Sequence, residues 1–197
     1  MKNVFIINGH QEYPFAQGKL NASFTEKAET FFKDNGYNVK TIKTEDETYN
    51  VEEEIEKWKW ADVVFFQTPI NWMGQSWSFK KYIDQVFTQG MMGEMSDGDG
   101  RSSSSPKKNY GLGGKLKGKY MMSVTANAPK EAFNNPEESF FGGMSEDDLL
   151  KPMHLNFKWF GFEPMPTFMA YDVMKNPEIE TDFKRFDTHL RNNFITL

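Results

Sequence analysis

Asp62-Val63-Val64-Phe65-Phe66-Gln67-Thr68-Pro69-Ile70-Asn71-Trp72-Met73-Gly74 is the stretch on which the fold turns. Its first half is a continuous apolar run rich in β-branched and aromatic residues, the pattern of a strand covered on both faces in a parallel sheet. Pro69, which has no N–H to give to a ladder, ends the run. From Ser78 to Phe87 the period lengthens, with Phe79, Tyr82, Ile83 and Phe87 at helical spacing. A strand, a short loop and a helix in that order are the repeating unit of an α/β fold.

The alternation extends in both directions. Val4-Phe5-Ile6-Ile7 is a second such strand, and after a polar loop Leu20, Phe24, Ala28, Phe31 and Phe32 mark a helix that Asn35-Gly36 stops. Asn38 to Lys43 then suits an outer strand, and Val51 to Lys59 a charged helix opening on three glutamates. Strands at Lys119 to Thr125 and Met165 to Ala170 follow, with helices at Asp148 to Phe160 and Glu178 to Phe194. Five strands alternating with helices predict a doubly wound parallel sheet, read as one domain over residues 1–197.

Composition narrows the function. With 38% hydrophobic and 16% aromatic residues, including 19 Phe and 5 Trp, the chain can bury a sizeable core and stack on planar ligands. A formal net charge of -5 leaves no basic face for a phosphate backbone, which argues against nucleic acid. There is no Cys, so any redox chemistry needs a bound cofactor. His10, His154 and His189 are scattered without metal-ligand spacing, and no metal site is expected. Neither a secretory signal nor a membrane span is read, so the expected location is the cytoplasm.

In such a sheet ligands sit beyond the carboxyl ends of the strands, near the reversal of strand order. The loop after the first strand runs from Gly9 to Asn21 and leads into a helix, whose free N–H groups and dipole suit a phosphate or diphosphate. It is neither a Walker loop nor a Gly-x-Gly-x-x-Gly fingerprint, and an ordinary strand-to-helix connection fits the same residues. The loop Thr68 to Gly74 sets Trp72 and Met73 between a proline and a glycine, either as a stacking surface or as aromatics folded onto the core. Thr125-Ala126-Asn127-Ala128-Pro129 offers further N–H groups. Between Gly90 and Gly118 a long Gly-, Ser- and Lys-rich segment carries Tyr110, and its length favours a functional role or loose order.

Together these loops resemble one known arrangement. Pro69-Ile70-Asn71-Trp72-Met73-Gly74, followed by Lys80-Lys81-Tyr82-Ile83-Asp84 and Val86-Phe87, resembles the flavin-contacting loop and helix of the DT-diaphorase superfamily, whose fold is flavodoxin-like. Ile6-Ile7-Asn8-Gly9, Gly18-Lys19-Leu20-Asn21, Trp60-Ala61-Asp62-Val63-Val64, Asn127-Ala128-Pro129 with Glu131-Ala132-Phe133, and Pro166-Thr167-Phe168 with Asp172-Val173 are similar to the modulator of drug activity B quinone reductases, almost from end to end.

The resemblance implies a homodimer that reduces quinones with NADPH, or NAD(P)H more broadly, through FAD by a ping-pong hydride transfer. It implies that Ala16, Gln17, Gly18, Lys19, Leu20, Asn21, Ala22 and Ser23 hold the FAD phosphates. Pro69, Ile70, Asn71, Trp72 and Met73 would lie along the isoalloxazine, Thr125, Ala126, Asn127 and Ala128 at its pyrimidine side, and Tyr110 would be a further contact. Lys107 and Lys108 are candidates for the 2′-phosphate of NADPH. Two departures shrink the apolar wall: Asn71 stands where the branch carries a second Trp, and Ala126 where an aromatic is common. No catalytic acid is assigned. The alternatives are an FMN-dependent azo- or nitroreductase, a flavodoxin-like electron carrier, and a flavin-free ligand-binding module.

Overall fold

The run beginning at Asp62 forms the middle of the sheet. In the computed structural model, which describes residues 2–138 and 140–195, β3 (Val63–Pro69) lies between β1 (Asn3–Asn8) and β4 (Lys119–Thr125). β2 (Asn38–Lys43) flanks β1, and every pairing is parallel. The far edge of β4 is shared by two short strands, β5 (Glu163–Pro164) and β6 (Phe168–Ala170), giving the order β2-β1-β3-β4-β5. The chain leaves β1 for β2 on one side and returns to β3 on the other, so the order reverses between β1 and β3.

The apolar runs are continuous because each strand is covered twice. On one face Phe5, Ile7, Val64 and Phe66 pack with residues of α2 (Val51–Trp60), α3 (Trp77–Gly90) and α5 (Lys151–Trp159), around the fully buried Trp58 and Tyr82. On the other, Val4, Ile6 and Phe65 meet Phe24 and Phe32 of α1 (Lys19–Asp34) and Phe186 and Leu190 of α6 (Ile179–Phe194). Alternate residues of one strand thus serve two cores.

Two elements differ from the sequence reading. The strand expected over Met165 to Ala170 is interrupted: Pro164 and Pro166 have no N–H, Met165 alone donates to the Tyr120 carbonyl at 2.8 Å, and pairing resumes at Phe168. The helix expected over Asp148 to Phe160 is two pieces. Ser145 and Asp148 form a capping box that starts the short α4 (Glu146–Leu149), and Pro152 sits in the first turn of α5.

The long segment 91–118 is anchored rather than loose. Met95 is fully buried and its N–H donates to the Gly90 carbonyl at 2.7 Å, while Leu116 N–H donates to Phe160 at 2.9 Å. Gly114 passes so close to that turn that a Cβ there would lie 2.3 Å from the Phe160 carbonyl carbon. Among the described residues no helix is long and apolar enough to cross a membrane.

Candidate functional site

A cleft of about 580 Å³ opens at the carboxyl ends of β1, β3 and β4, beside the reversal of strand order. Its first wall is the loop after β1. Tyr13 and Ala16 exchange backbone hydrogen bonds at 3.1 and 2.9 Å, and the chain enters α1 through Gly18 at φ 75°. Only glycine takes that conformation at low cost, and a Cβ there would also lie 2.5 Å from Nδ1 of His10.

The start of α1 is bare: no side chain caps it and no acidic residue lies in its first turn. α2 shows the opposite arrangement, with Asn50 accepting from Glu53 N–H and three glutamates in the first turn. The unsatisfied N–H groups at the head of α1 therefore leave the positive end of its dipole for an anion in the cleft.

His10 braces this loop from below and is 3% exposed. Its Nδ1 lies 3.6 Å from the Glu45 carboxylate, which also accepts from Glu12 N–H at 2.5 Å and pairs with Lys43 at 2.6 Å. Burial holds the His10 imidazole below its ordinary value, against the opposing pull of Glu45. Burial pushes the Glu45 carboxyl up, but the hydrogen bonds from Lys43 and Glu12 outweigh it and leave it below its ordinary value.

The second wall is the loop after β3. Asn71 N–H donates to the Gly74 carbonyl at 2.8 Å and Gly74 N–H returns to Asn71 at 3.1 Å, closing a tight turn. Its two central residues, Trp72 at φ 49° and Met73 at φ 65°, are both left-handed, where a bulky side chain is strained. Trp72 is also 97% exposed, so the turn presents its indole instead of folding it onto the core. The reading in which Trp72 folds back onto the core is excluded.

The walls are tied together. The buried Ser76 hydroxyl donates to the Gly9 carbonyl at 2.6 Å and accepts from Phe79 N–H at the head of α3, joining the first two loops. Ile70 N–H donates to Thr125 at 2.9 Å, and Ala126 N–H to Ala170 at 2.9 Å, drawing in the third loop and the last strand. Beneath them Asn21 Oδ1 accepts from Gln67 Nε2 at 2.8 Å and from Thr125 Oγ1 at 3.4 Å, so the head of α1 is fixed to β3 and β4.

Of the residues singled out in the sequence, Ala16 through Asn21, Pro69 through Met73, and Thr125 through Ala128 line this one cleft. Ala22 and Ser23 do not. Ser23 lines a separate groove with Phe31 and Phe183, its hydroxyl bonded to the Lys19 carbonyl at 3.0 Å. Tyr110 lies outside the cleft of its own chain, edge-on to Trp159 with ring centroids 5.4 Å apart, in a hollow between α3 and α5. The cleft also takes His10, Tyr13, Phe15, Phe133 and Met174. Phe133, which the sequence sets just beyond the third loop, stacks on Phe141 with ring centroids 4.7 Å apart.

The comparisons agree with this geometry. The family model described as the flavodoxin-like fold matches residues 2–193. The NADPH:quinone oxidoreductase MdaB of Haemophilus influenzae is 39% identical over 193 residues, 98% of this chain and 99% of that one. An uncharacterised protein of Schizosaccharomyces pombe is 40% identical over 192 residues, 97% of this chain and 96% of its own. A solved structure from Klebsiella pneumoniae, of a protein proposed to be a quinone reductase, superposes with a TM-score of 0.74 at 21% identity, over 98% of this chain and 83% of that one. With its strand order, its bare helix head and these relatives, the chain belongs to the flavodoxin-like fold family and, within it, to the modulator of drug activity B branch.

Proposed function

We propose that the chain is a cytoplasmic, homodimeric NAD(P)H:quinone oxidoreductase, one domain that binds FAD in this cleft. The observation that carries the proposal is the pairing, in a single cavity, of an uncapped helix head with a strained turn that presents an exposed indole. The first suits phosphate and the second suits a planar ring. The 39% identical MdaB protein gives the activity its support, and the resemblance to its branch favours FAD. A helix head of this kind takes one phosphate as readily as two, which keeps FMN and azo- or nitroreduction as the alternative.

A bound flavin would supply the two-electron chemistry, taking a hydride from NAD(P)H and giving it to a quinone. What the chain's own residues do is hold and exclude. The N–H groups of the α1 head would bind the phosphates, Trp72 would cover the ring from water, and Asn127 and Ala128 would offer N–H groups to the pyrimidine edge. Donor and acceptor would share one face in turn, hence ping-pong kinetics. Because Tyr110 is remote from the cleft of its own chain, a flavin contact would come from the partner's Tyr110, which is how the homodimer enters the proposal.

The test is the absorption spectrum of purified protein under anaerobic conditions. A flavin band that NADPH bleaches and a quinone restores supports the reading, and the mass of the released cofactor separates FAD from FMN. Protein that takes up neither flavin refutes it. A flavin that NADPH leaves oxidised points instead to an electron carrier.

A further inference from the structure

Among the described residues six buried side-chain polar atoms have no hydrogen-bond partner, and two of them, Asn71 Nδ2 and Gln11 Oε1, belong to residues lining the cleft. The backbone that carries the Asn71 amide is fixed in place: its N–H and carbonyl are both held by Gly74, and Ile70 before it is held by Thr125. An amide donor left unpaired in this way costs free energy that an accepting ligand atom recovers. The loop that holds Asn71 is bonded to the strand end carrying Ala126, which is 1% exposed and whose methyl adds little bulk to the wall. The cleft there is roomier and more polar than two large aromatics would leave it.

We infer that the Asn71 side-chain amide is a specificity-determining donor, aimed at a ring carbonyl oxygen of the planar ligand in the cleft. Flavins and quinones both carry such an oxygen. The inference rests on the proposed flavin site and names the residue that tells a carbonyl-bearing ring from a hydrocarbon ring of the same shape.

Two variants test it, Asn71→Leu, which keeps the branched outline with somewhat more bulk and removes the donor, and Asn71→Asp, which keeps size and shape and replaces the donor with a charged acceptor. Flavin affinity is read by fluorescence titration with FAD and with FMN. Acceptor affinity is read by calorimetry, titrating menadione, and 2-methylnaphthalene as its carbonyl-free counterpart, into oxidised, flavin-loaded protein without NADPH.

If the flavin is the source of the oxygen, both variants weaken FAD and FMN by about fivefold to 150-fold, the worth of one unsatisfied donor. If the acceptor is the source, flavin affinity holds and menadione weakens by a similar factor while 2-methylnaphthalene does not. Both outcomes support the inference. Variants that match wild type with every probe overturn it, and Asn71→Asp alone decides if Asn71→Leu fails to fold. Wild-type protein that takes up no flavin removes the proposed function itself, whereas wild-type loading with unchanged variants removes only the role of Asn71.

Discussion

Replacing Trp72 by glycine should make the free protein no less stable while weakening its hold on flavin. The indole is 97% exposed, so its removal forfeits almost no burial in the unliganded chain. At φ 49° the tryptophan bears left-handed strain of about 1–2 kcal/mol, which glycine relieves. Against this, the freer unfolded chain costs roughly 0.4–1 kcal/mol. The net lies between about zero and 1.5 kcal/mol in favour of the variant, or a melting temperature raised by up to about 5 °C for a chain of this size. Flavin binding moves the other way. If the ring covers half of a ~200 Å² indole, the lost burial is about 2.5 kcal/mol at ~25 cal/mol/Å², close to a 60-fold weaker Kd. The assay is thermal unfolding of flavin-stripped protein, because bound ligand would mask the difference, alongside flavin fluorescence titration. A stripped variant that melts well below wild type, or one that binds flavin as tightly, refutes the assignment of this turn as a strained stacking platform.

Gly18→Ala should cost about 1–2 kcal/mol from its φ of 75°, together with a clash on His10, and should weaken flavin while leaving the far core intact. Near-ultraviolet dichroism of the aromatic core and flavin titration together check this, and unchanged affinity would count against the α1 head as the phosphate site. All three histidines are held below their ordinary value of 6.5 by burial, so the unfolded chain takes up protons first as the solution is acidified. Their contribution is intact above that value and is lost as pH falls through it, so the melting temperature of stripped protein should drop between about pH 7 and 5.5, and less so in His10→Gln. A flat or rising profile would contradict the burial seen here. Tyr110→Ala should leave unfolding of the isolated subunit nearly unchanged, since that ring is 69% exposed, yet shift the sedimentation coefficient or the flavin affinity of the assembled protein. If neither moves, Tyr110 has no place at the flavin.

How much of this was legible in the chain follows from where the information lies. The run at Asp62 to Thr68 and its counterpart at Val4 to Ile7 announce doubly covered strands because both faces must be apolar, a property each strand carries locally. The break of the last strand is written in Pro164 and Pro166, neither of which has an N–H to give to a ladder. For the site, loop residues could be named but not their company. The meeting of Ile70 with Thr125, of Ser76 with Gly9, and of Gln67 with Asn21 spans 46 to 67 positions in the last two cases, and no local period encodes such separations.

Asn71 and Tyr110 depart in opposite directions from what the sequence predicts. In sequence Asn71 is a departure from its branch, a loss of apolar wall. In the folded chain the Gly74 pairing fixes its backbone, and its buried amide Nδ2 has no hydrogen-bond partner. In sequence Tyr110 matches its branch, yet segment 91–118 is drawn to α3 and α5 by Met95 and Leu116, and carries the tyrosine to Trp159. The backbone bonds of one chain decide which cleft a residue can reach, and they leave Tyr110 outside this one. A match that the single chain leaves outside its own cleft is the reason to look for the flavin contact across two copies, and an experiment on subunit association bears on it more directly than one on activity.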